Sequence, residues 1–415
     1  MQKARDSEKN VGLVVTTAVA ANLLILFSFK YLPFAVTNLN AFLPHDIPVP
    51  SFPFPLGISF FTFQAISYIM DVKRGRIGAQ KNFIDLALYI SFFPRLLQGP
   101  IVRYQTMVDQ LRNRKENFKD FSEGCCRFVI GLGKKVLVAT LLMDLVNSAF
   151  ASPSPNLSVS TAWLGMFAAS FYIYFDFSGY SDMAIGLGKM FGFKIPENFN
   201  YPYIASSIAD YWRRWHMTMM TWFKDYVFLP VAIGQTFKYY PFTKKTMTTP
   251  HKIVIAMFIT WLCTGIWHGA SWNFVIWGMY FFVLMQVETM IPKFKSKFWS
   301  VSVGFILTQL AVKLGQVLTR STDINQAWNY YLCLFGLKGK PIVDDKFIFL
   351  FNQNKWILLI ALIASMPTVQ FILKHVKINK TVQDVIYTIW IIALFIFGMI
   401  YITRNGYTPF LYGKF

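Results

Sequence analysis

Seven apolar runs, each near the length needed to cross a bilayer, constrain this chain more than any other feature. They are Val11–Leu32, Thr161–Phe175, Ile253–Trp267, Trp272–Ile291, Trp299–Leu318, Trp356–Leu373 and Val385–Thr403. About 20 apolar residues span the hydrocarbon core. Inside that core each backbone N–H and C=O must be satisfied within the structure, and long apolar runs do this as helices. Composition agrees: 14% of residues are charged and 55% hydrophobic, where a soluble domain carries about a quarter charged. The expected fold is all-α, a polytopic transmembrane helical bundle forming a single integral-membrane domain over 1–415.

The net charge is +20, from 40 Lys and Arg against 20 Asp and Glu. In a soluble protein such an excess points to nucleic acid. Here the positive-inside rule and anionic lipid headgroups account for it, and no nucleic-acid partner is expected. Basic residues collect at 3–9, 73–81, 103–119, 189–224, 238–252, 293–297 and 374–380, while 35–55 and 150–160 are nearly free of them. Placing the basic connections in the cytoplasm gives about nine crossings of the cell (inner, cytoplasmic) membrane, starting inside and ending outside. This requires that 83–102 and roughly 200–237 do not cross. Leu86–Ile101 is indeed broken by Pro94, Arg95, Gly99 and Pro100 and reads as re-entrant or interfacial. Tyr201–Gly234 interleaves aromatics with charges, as an interfacial amphipathic piece does. Segment 124–149, interrupted by Arg127, Lys134 and Lys135, is the weakest crossing.

The first apolar run is too long for a signal-peptide core and lacks a small-residue cleavage site. Cys125 and Cys126 are adjacent and Cys263 and Cys333 stand singly, which is neither zinc spacing nor a redox pair.

Cys263-Thr264-Gly265-Ile266-Trp267-His268-Gly269-Ala270 sets a histidine between two long apolar segments. An ionisable group at membrane depth marks a functional site, because its desolvation must be offset by a partner or a task. Fifteen residues from Ile253 to Trp267 reach about 22 Å as a helix, short of a core of about 30 Å, so His268 is expected below the outer surface. His216 closes Asp210-Tyr211-Trp212-Arg213-Arg214-Trp215-His216, where Asp210 and Arg214 would pair at i,i+4 and the two arginines offer planar forks to phosphate or carboxylate. An interfacial aromatic belt explains that stretch equally well. Phe175-Asp176-Phe177-Ser178-Gly179-Tyr180-Ser181-Asp182 puts two carboxylates and three hydroxyls at the inner end of a spanning helix, with a glycine that permits a tight bend or a close backbone approach. Asp176 and Tyr180 are therefore candidate substrate- or donor-binding residues, with capping and turn roles as the alternative. The histidines at 45, 216, 251, 268 and 375 include no His-x-x-x-His pair, and no metal site is expected. Neither a P-loop nor a Gly-x-Ser-x-Gly elbow is present.

FDFSGYSDMAIGLGKMFGF at 175–193, NFNYPYIASSIADYWRRWHMTMMTWFKDYVFLP at 198–230 and WLCTGIWHGASWNFVIWG at 261–278 resemble the membrane-bound O-acyltransferases, in particular their alginate O-acetyltransferase-like branch. FPLGISFFTFQAISYIMDVKRG at 54–75, SFFPRLLQGPIVRY at 91–104 and, in part, the ending PFLYGKF add to a collinear resemblance over nearly the whole chain. It implies a tunnel inside the bundle and transfer of an acyl group from a thioester to a hydroxyl or amine. In that branch the donor is cytoplasmic acetyl-CoA and the acetyl group ends on an extracytoplasmic polysaccharide or peptidoglycan, directly or through an extracytoplasmic SGNH-type (hydrolase-like) acetyltransferase partner. His268 matches the family's catalytic histidine and His216 the branch's second one, with Trp267, Gly269 and Arg213-Arg214 in the same signatures. Relatives generally carry more apolar segments before the one that begins here at Val11, so the resemblance implies a short member or N-terminal helices missing from this chain.

Thioester transfer to a hydroxyl needs a general base, which a neutral imidazole supplies. His268 takes that role, with a covalent acyl-histidine as the less economical alternative. Trp267, Asn273 or His216 would stabilise the oxyanion, His216 lies on the donor side, and Arg213 and Arg214 hold CoA phosphates. No bound cofactor is expected beyond acetyl-CoA as co-substrate. The rivals are D-alanyl transfer to teichoic acid from an acylated carrier protein, and a small-metabolite carrier without bond chemistry, although no internal repeat is found.

Overall fold

The computed structural model of the chain describes residues 10–53, 55–151, 157–234, 237, 239–240, 245–291, 297–376, 378–406 and 409–410. The opening MQKARDSEK and the final five residues of PFLYGKF lie outside them. The described residues are helical throughout, apart from turns and one isolated antiparallel bridge between Tyr239 and Thr246. In chain order the helices are α1 (Val11–Asn40, with a π turn at Phe27–Tyr31), α2 (Ile58–Lys73), α3 (Phe83–Ser91) and α4 (Tyr104–Asn113). Next come α5 (Phe118–Gly133, a π turn over Lys134–Ala139, then Thr140–Phe150), α6 (Val159–Met190), α7 (Ile208–Arg214), α8 (Met217–Phe223) and α9 (Leu229–Ile233). The chain continues with α10 (Thr249–His268), α11 (Trp272–Met290), α12 (Lys297–Arg320), α13 (Ile324–Leu334), α14 (Asp345–Ala364), α15 (Thr368–His375) and α16 (Lys380–Asn405).

Among the described residues five helices are long and apolar enough to cross a membrane: α1, α10, Ser300–Arg320 of α12, α14 and α16. With α14 and α16 exposing apolar side chains such as Ile360, Ile389 and Phe397, the chain is a multi-pass membrane protein. In lipid, outward apolar faces are the favoured arrangement. The larger count expected from charge alternation draws in α2, α5, α6 and α11, which do not meet both measures.

α6 is the axis of the bundle. It is buried almost all round, which a helix that is apolar on every side requires. Gly179 admitted a tight bend or a close backbone approach, and the structure has the second: one 32-residue helix runs unbroken through the motif at 175–182. The glycine serves close packing. A Cβ on Gly179 would lie 2.8 Å from the Gly131 carbonyl oxygen and one on Gly131 2.5 Å from that of Gly179, and Gly124 and Gly186 meet in the same way one heptad away. Segment 124–149, the weakest crossing by sequence, is an unbroken helical rod in α5 because its cations find anions on α6. Arg127 Nη2 is 2.6 Å and Lys134 Nζ also 2.6 Å from Asp182, and Lys135 Nζ is 2.5 Å from Asp176.

Of the stretches expected not to cross, 83–102 is short and broken. After α3 the chain makes a 3-10 turn at Phe93–Arg95, and the buried Arg95 guanidinium donates to the carbonyls of Tyr89 and Val102. Residues 202–233 form a 3-10 turn at Pro202–Ile204, the short α7, and then a continuous helical rod in which a π turn at Lys224–Phe228 joins α8 to α9. The apolar run 356–373 is not one helix: α14 starts at Asp345 and ends at Ala364, and the turn through Pro367 separates it from α15. Asp344, with its side chain accepting from Phe347 N, caps α14 eleven residues earlier than hydropathy alone suggests.

Candidate active site

His268 is the last residue of α10, and Gly269 leaves the helix in an extended conformation. The helix is longer than the apolar run, starting at Thr249 with 20 residues, so it reaches about 30 Å and a short helix does not withdraw His268 from water. Packing does. The ring is 8% exposed and sits 4.7 Å from Trp277, 4.8 Å from Trp267 and 6.3 Å from Phe274, centroid to centroid. α10 and α11 can approach this closely because Gly265 and Gly278 face each other: a Cβ on either would lie 2.4 Å from a backbone oxygen of the other helix.

The end of α10 is held from α1. Lys30 Nζ donates to the Trp267 carbonyl at 2.6 Å and Tyr31 Oη to that of Ile266 at 3.0 Å. The last carbonyls of a helix lack intrahelical partners, and a cation there complements the helix dipole. Sequence reasoning passed over Lys30; a lone lysine inside an apolar run is the signal that would have found it.

His216 joins α7 to α8 with φ 45°, ψ 50°, a left-handed conformation that costs a non-glycine residue about 1–3 kcal/mol. Asn198 holds it there. The Met217 amide donates to the Asn198 carbonyl at 3.0 Å, and Asn198 Oδ1 accepts from Thr218 Oγ1 at 2.8 Å and faces His216 Nδ1 at 3.0 Å. Because Oδ1 is the acceptor of this network, Nδ1 carries the proton in the neutral ring. Nε2, buried and without a hydrogen-bond partner among the described residues, then presents a lone pair. Trp267 stands between the histidines, its ring 5.9 Å from His216 and 4.8 Å from His268, and rests on Phe63 at 5.4 Å. Its Nε1–H is likewise buried without a partner.

His268 faces a cavity of about 640 Å³, counted out to its mouth, walled by Tyr211, Trp212, Trp215, Trp277 and Phe281 and edged by Gln316, Thr319 and Arg320. Apolar walls with a few converging polar groups are the usual make-up of a small-molecule site. Of the residues singled out from sequence, only His268 lines it. Trp267 and His216 stand behind it. Asn273 donates through Nδ2 to the Ser321 carbonyl at 2.9 Å, joining α11 to the end of α12. Arg213 and Arg214 both pair with Asp210, at 3.3 and 2.9 Å, and the Arg213 side chain is 74% exposed. Asp176 belongs to the ion pair with Lys135, and Tyr180 packs on Phe410 at 5.0 Å. The cavity's aromatic wall was present in the quoted motifs, but α12 was read only as a spanning helix.

Residues 76–308 match the family model "MBOAT, membrane-bound O-acyltransferase family", and this stretch includes His216 and His268. A probable alginate O-acetylase of Azotobacter vinelandii is 38% identical over 336 residues, covering 80% of this chain and 64% of that protein. A peptidoglycan O-acetyltransferase of Helicobacter pylori is 30% identical over 100% of this chain and 84% of its own length. A teichoic acid D-alanyltransferase of Bacillus subtilis is 33% identical over 74% and 77%, respectively. The chain thus spans somewhat under two thirds of the length of the Azotobacter relative. With the family model covering more than half of it, the chain belongs to the membrane-bound O-acyltransferase family.

Proposed function

We propose that this protein is a membrane-embedded O-acetyltransferase in a single domain. It moves an acetyl group from cytoplasmic acetyl-CoA towards a hydroxyl of an extracytoplasmic polysaccharide or peptidoglycan, directly or through an SGNH-type partner. It crosses the inner membrane about nine times, and the His268 cavity is part of its tunnel. The observation that carries this reading is an imidazole at the end of a spanning helix, lining an aromatic-walled cavity, in a family named for acyl transfer to oxygen.

The acceptor hydroxyl gives its proton to the His268 imidazole as its oxygen attacks the thioester carbonyl carbon. The C–O bond forms, the carbonyl π electrons move to oxygen, and the tetrahedral oxyanion collapses to expel the CoA thiolate, which takes the proton back from the imidazolium. Among the oxyanion donors expected from sequence, the geometry favours Trp267 Nε1–H. Asn273 Nδ2 is already engaged with Ser321, and the neutral His216 tautomer turns a lone pair, not a proton, towards the interior. His216 suits a proton-accepting or thiol-orienting part on the donor side, with Arg213 and Arg214 meeting CoA phosphates near the inner face.

The test is release of free CoA from acetyl-CoA by the purified chain in detergent, with and without soluble glycan. His268→Ala is expected to insert and fold normally and to lose transfer by roughly a hundredfold or more. Full activity in that variant would exclude His268 as the base. A second reading, D-alanyl transfer, is favoured by the similarity to the Bacillus subtilis D-alanyltransferase. Turnover of a D-alanyl carrier-protein thioester in place of acetyl-CoA would establish it.

A further inference from the structure

α12 carries four polar residues through an apolar helix: Gln309, Lys313, Gln316 and Arg320, spaced so that they share one face. The first two settle each other. Gln309 Nε2 donates to the Ala205 carbonyl at 3.1 Å, and Lys313 Nζ donates to Gln309 Oε1 at 3.0 Å and lies 4.7 Å from the Tyr203 ring centroid. The last two are left with unused capacity. Gln316 Nε2 reaches Tyr203 Oη only at 3.5 Å, and its Oε1 is buried without a partner. Arg320 donates through Nη2 to Asn147 Oδ1 and lies 5.8 Å from the Tyr172 ring centroid, while its Nε is buried without a partner. Among the described residues no ion pair includes Arg320. Gln316 and Arg320 both edge the cavity that His268 faces. The Arg320 side chain is half-buried and has no anion among the described residues, and a ligand that brings one offsets the cost of that partial desolvation.

We propose that Arg320, with Gln316 one turn before it, is the acceptor-recognition site of this cavity, and that it takes an anionic, hydroxyl-bearing carbohydrate. The guanidinium fork matches a carboxylate or phosphate, Gln316 Oε1 accepts from a hydroxyl, and the indoles of Trp212, Trp215 and Trp277 offer apolar faces to the sugar ring. The side of the membrane supports acceptor over donor. α12 begins at Lys297, just after the basic stretch 293–297, so Arg320 is at its outer end. The neighbouring Ser321 is bonded to Asn273 at the start of α11, the same end of the bundle as His268. The proposal rests on the reading of His268 as the base for a hydroxyl acceptor.

The full-length chain in detergent is titrated with a short oligouronate, the neutral oligosaccharide of the same length, and a glycerol-phosphate oligomer, following tryptophan fluorescence. One of the two anionic probes is expected to bind roughly ten- to a hundredfold tighter than the neutral one, the range of a charge-assisted hydrogen bond. The tighter of the two identifies carboxylate or phosphate as the recognised group. Arg320→Gln is expected to abolish the preference and Arg320→Lys to keep part of it. Asn147→Asp, at an exposed position, sets an internal carboxylate against the guanidinium and is expected to abolish the preference with the cavity walls intact. Equal affinity for all three probes, a preference that survives both Arg320→Gln and Asn147→Asp, or loss of acetyl-CoA binding in Asn147→Asp would each overturn the assignment. Because the readout is binding, anion-selective binding without acetyl transfer would sink the transferase reading and leave Arg320 in place. Transfer without anion selectivity would do the reverse.

Discussion

Replacing Lys135 by Met tests how the bundle tolerates charge in its interior. Lys135 and Asp176 are 2% and 0% exposed, with Nζ 2.5 Å from Oδ1, and Lys135 also donates to the Pro409 carbonyl at 3.1 Å. Removing the ammonium leaves a carboxylate buried without its cation, a change that costs about 3–5 kcal/mol. At about 1.4 kcal/mol per decade this lowers the folded-to-unfolded ratio by two to three and a half powers of ten. The double variant Lys135→Met/Asp176→Leu removes both charges and keeps roughly the same volume. It is expected to recover most of that loss, since apolar replacements of buried pairs are neutral or stabilising. The assay is unfolding of the detergent-solubilised protein by rising SDS mole fraction, followed by circular dichroism, for wild type, both single variants and the double. The reasoning fails if Lys135→Met is as stable as wild type, or if the double variant is no better than the worse single.

Gly265→Val should be among the most damaging single changes in the α10–α11 hairpin. Its Cβ would lie 2.4 Å from the Phe274 carbonyl oxygen, a backbone atom that cannot move cheaply, so the cost should exceed the usual 1–3 kcal/mol of overpacking and show as a fall in folded yield. Lys30→Met deletes the bond to the Trp267 carbonyl and should lower kcat for CoA release roughly tenfold with KM for acetyl-CoA little changed; unaltered kcat would deny Lys30 a part in positioning His268. Burial pushes the Asp344 carboxyl up, but the hydrogen bonds it accepts from Phe347, Ser158 and Thr161 outweigh this and hold it below the ordinary 3.8. Its stabilisation is therefore complete above about pH 4 and lost as pH falls through the depressed value, a loss that Asp344→Asn should not show in acid unfolding. Trp277→Ala opens the cavity wall beside His268 and should raise acceptor-independent CoA release relative to transfer; an unchanged ratio would mean that this wall does not exclude water.

Much of this was legible in the sequence because a bilayer leaves few choices. The apolar runs, the broken stretch at Pro94 and Pro100, and the histidine between α10 and α11 follow from hydropathy and from helix breakers. What escaped depended on partners distant in sequence. Gly179 alone reads as a bend or a close backbone approach, and only the facing Gly131 decides for the contact. Arg127, Lys134 and Lys135 alone weaken a crossing, and only Asp176 and Asp182 make it sound. His216 carries no local mark of its left-handed backbone, since Asn198 imposes it from 18 residues away. The polar face of α12 is different. Its periodicity is visible in the sequence, and counting polar rather than apolar residues along the helix would have revealed it.

The proposed chemistry gives a reason for the aromatic walls around His268 and for the arginines on either side of them. CoA and a polysaccharide are both too polar to enter hydrocarbon, yet the group they exchange has only two carbons. A bundle that confines the crossing to the acetyl group needs cations only where the two large anions stop, and neutral aromatic surface where the thioester would otherwise meet water. Arg213 and Arg214 on one side and Arg320 on the other fit the first requirement, and Trp212, Trp215 and Trp277 around His268 fit the second. Lys30 is compatible with this economy because its charge is spent on the carbonyl end of α10, holding the base in place without offering a stopping point to either anion.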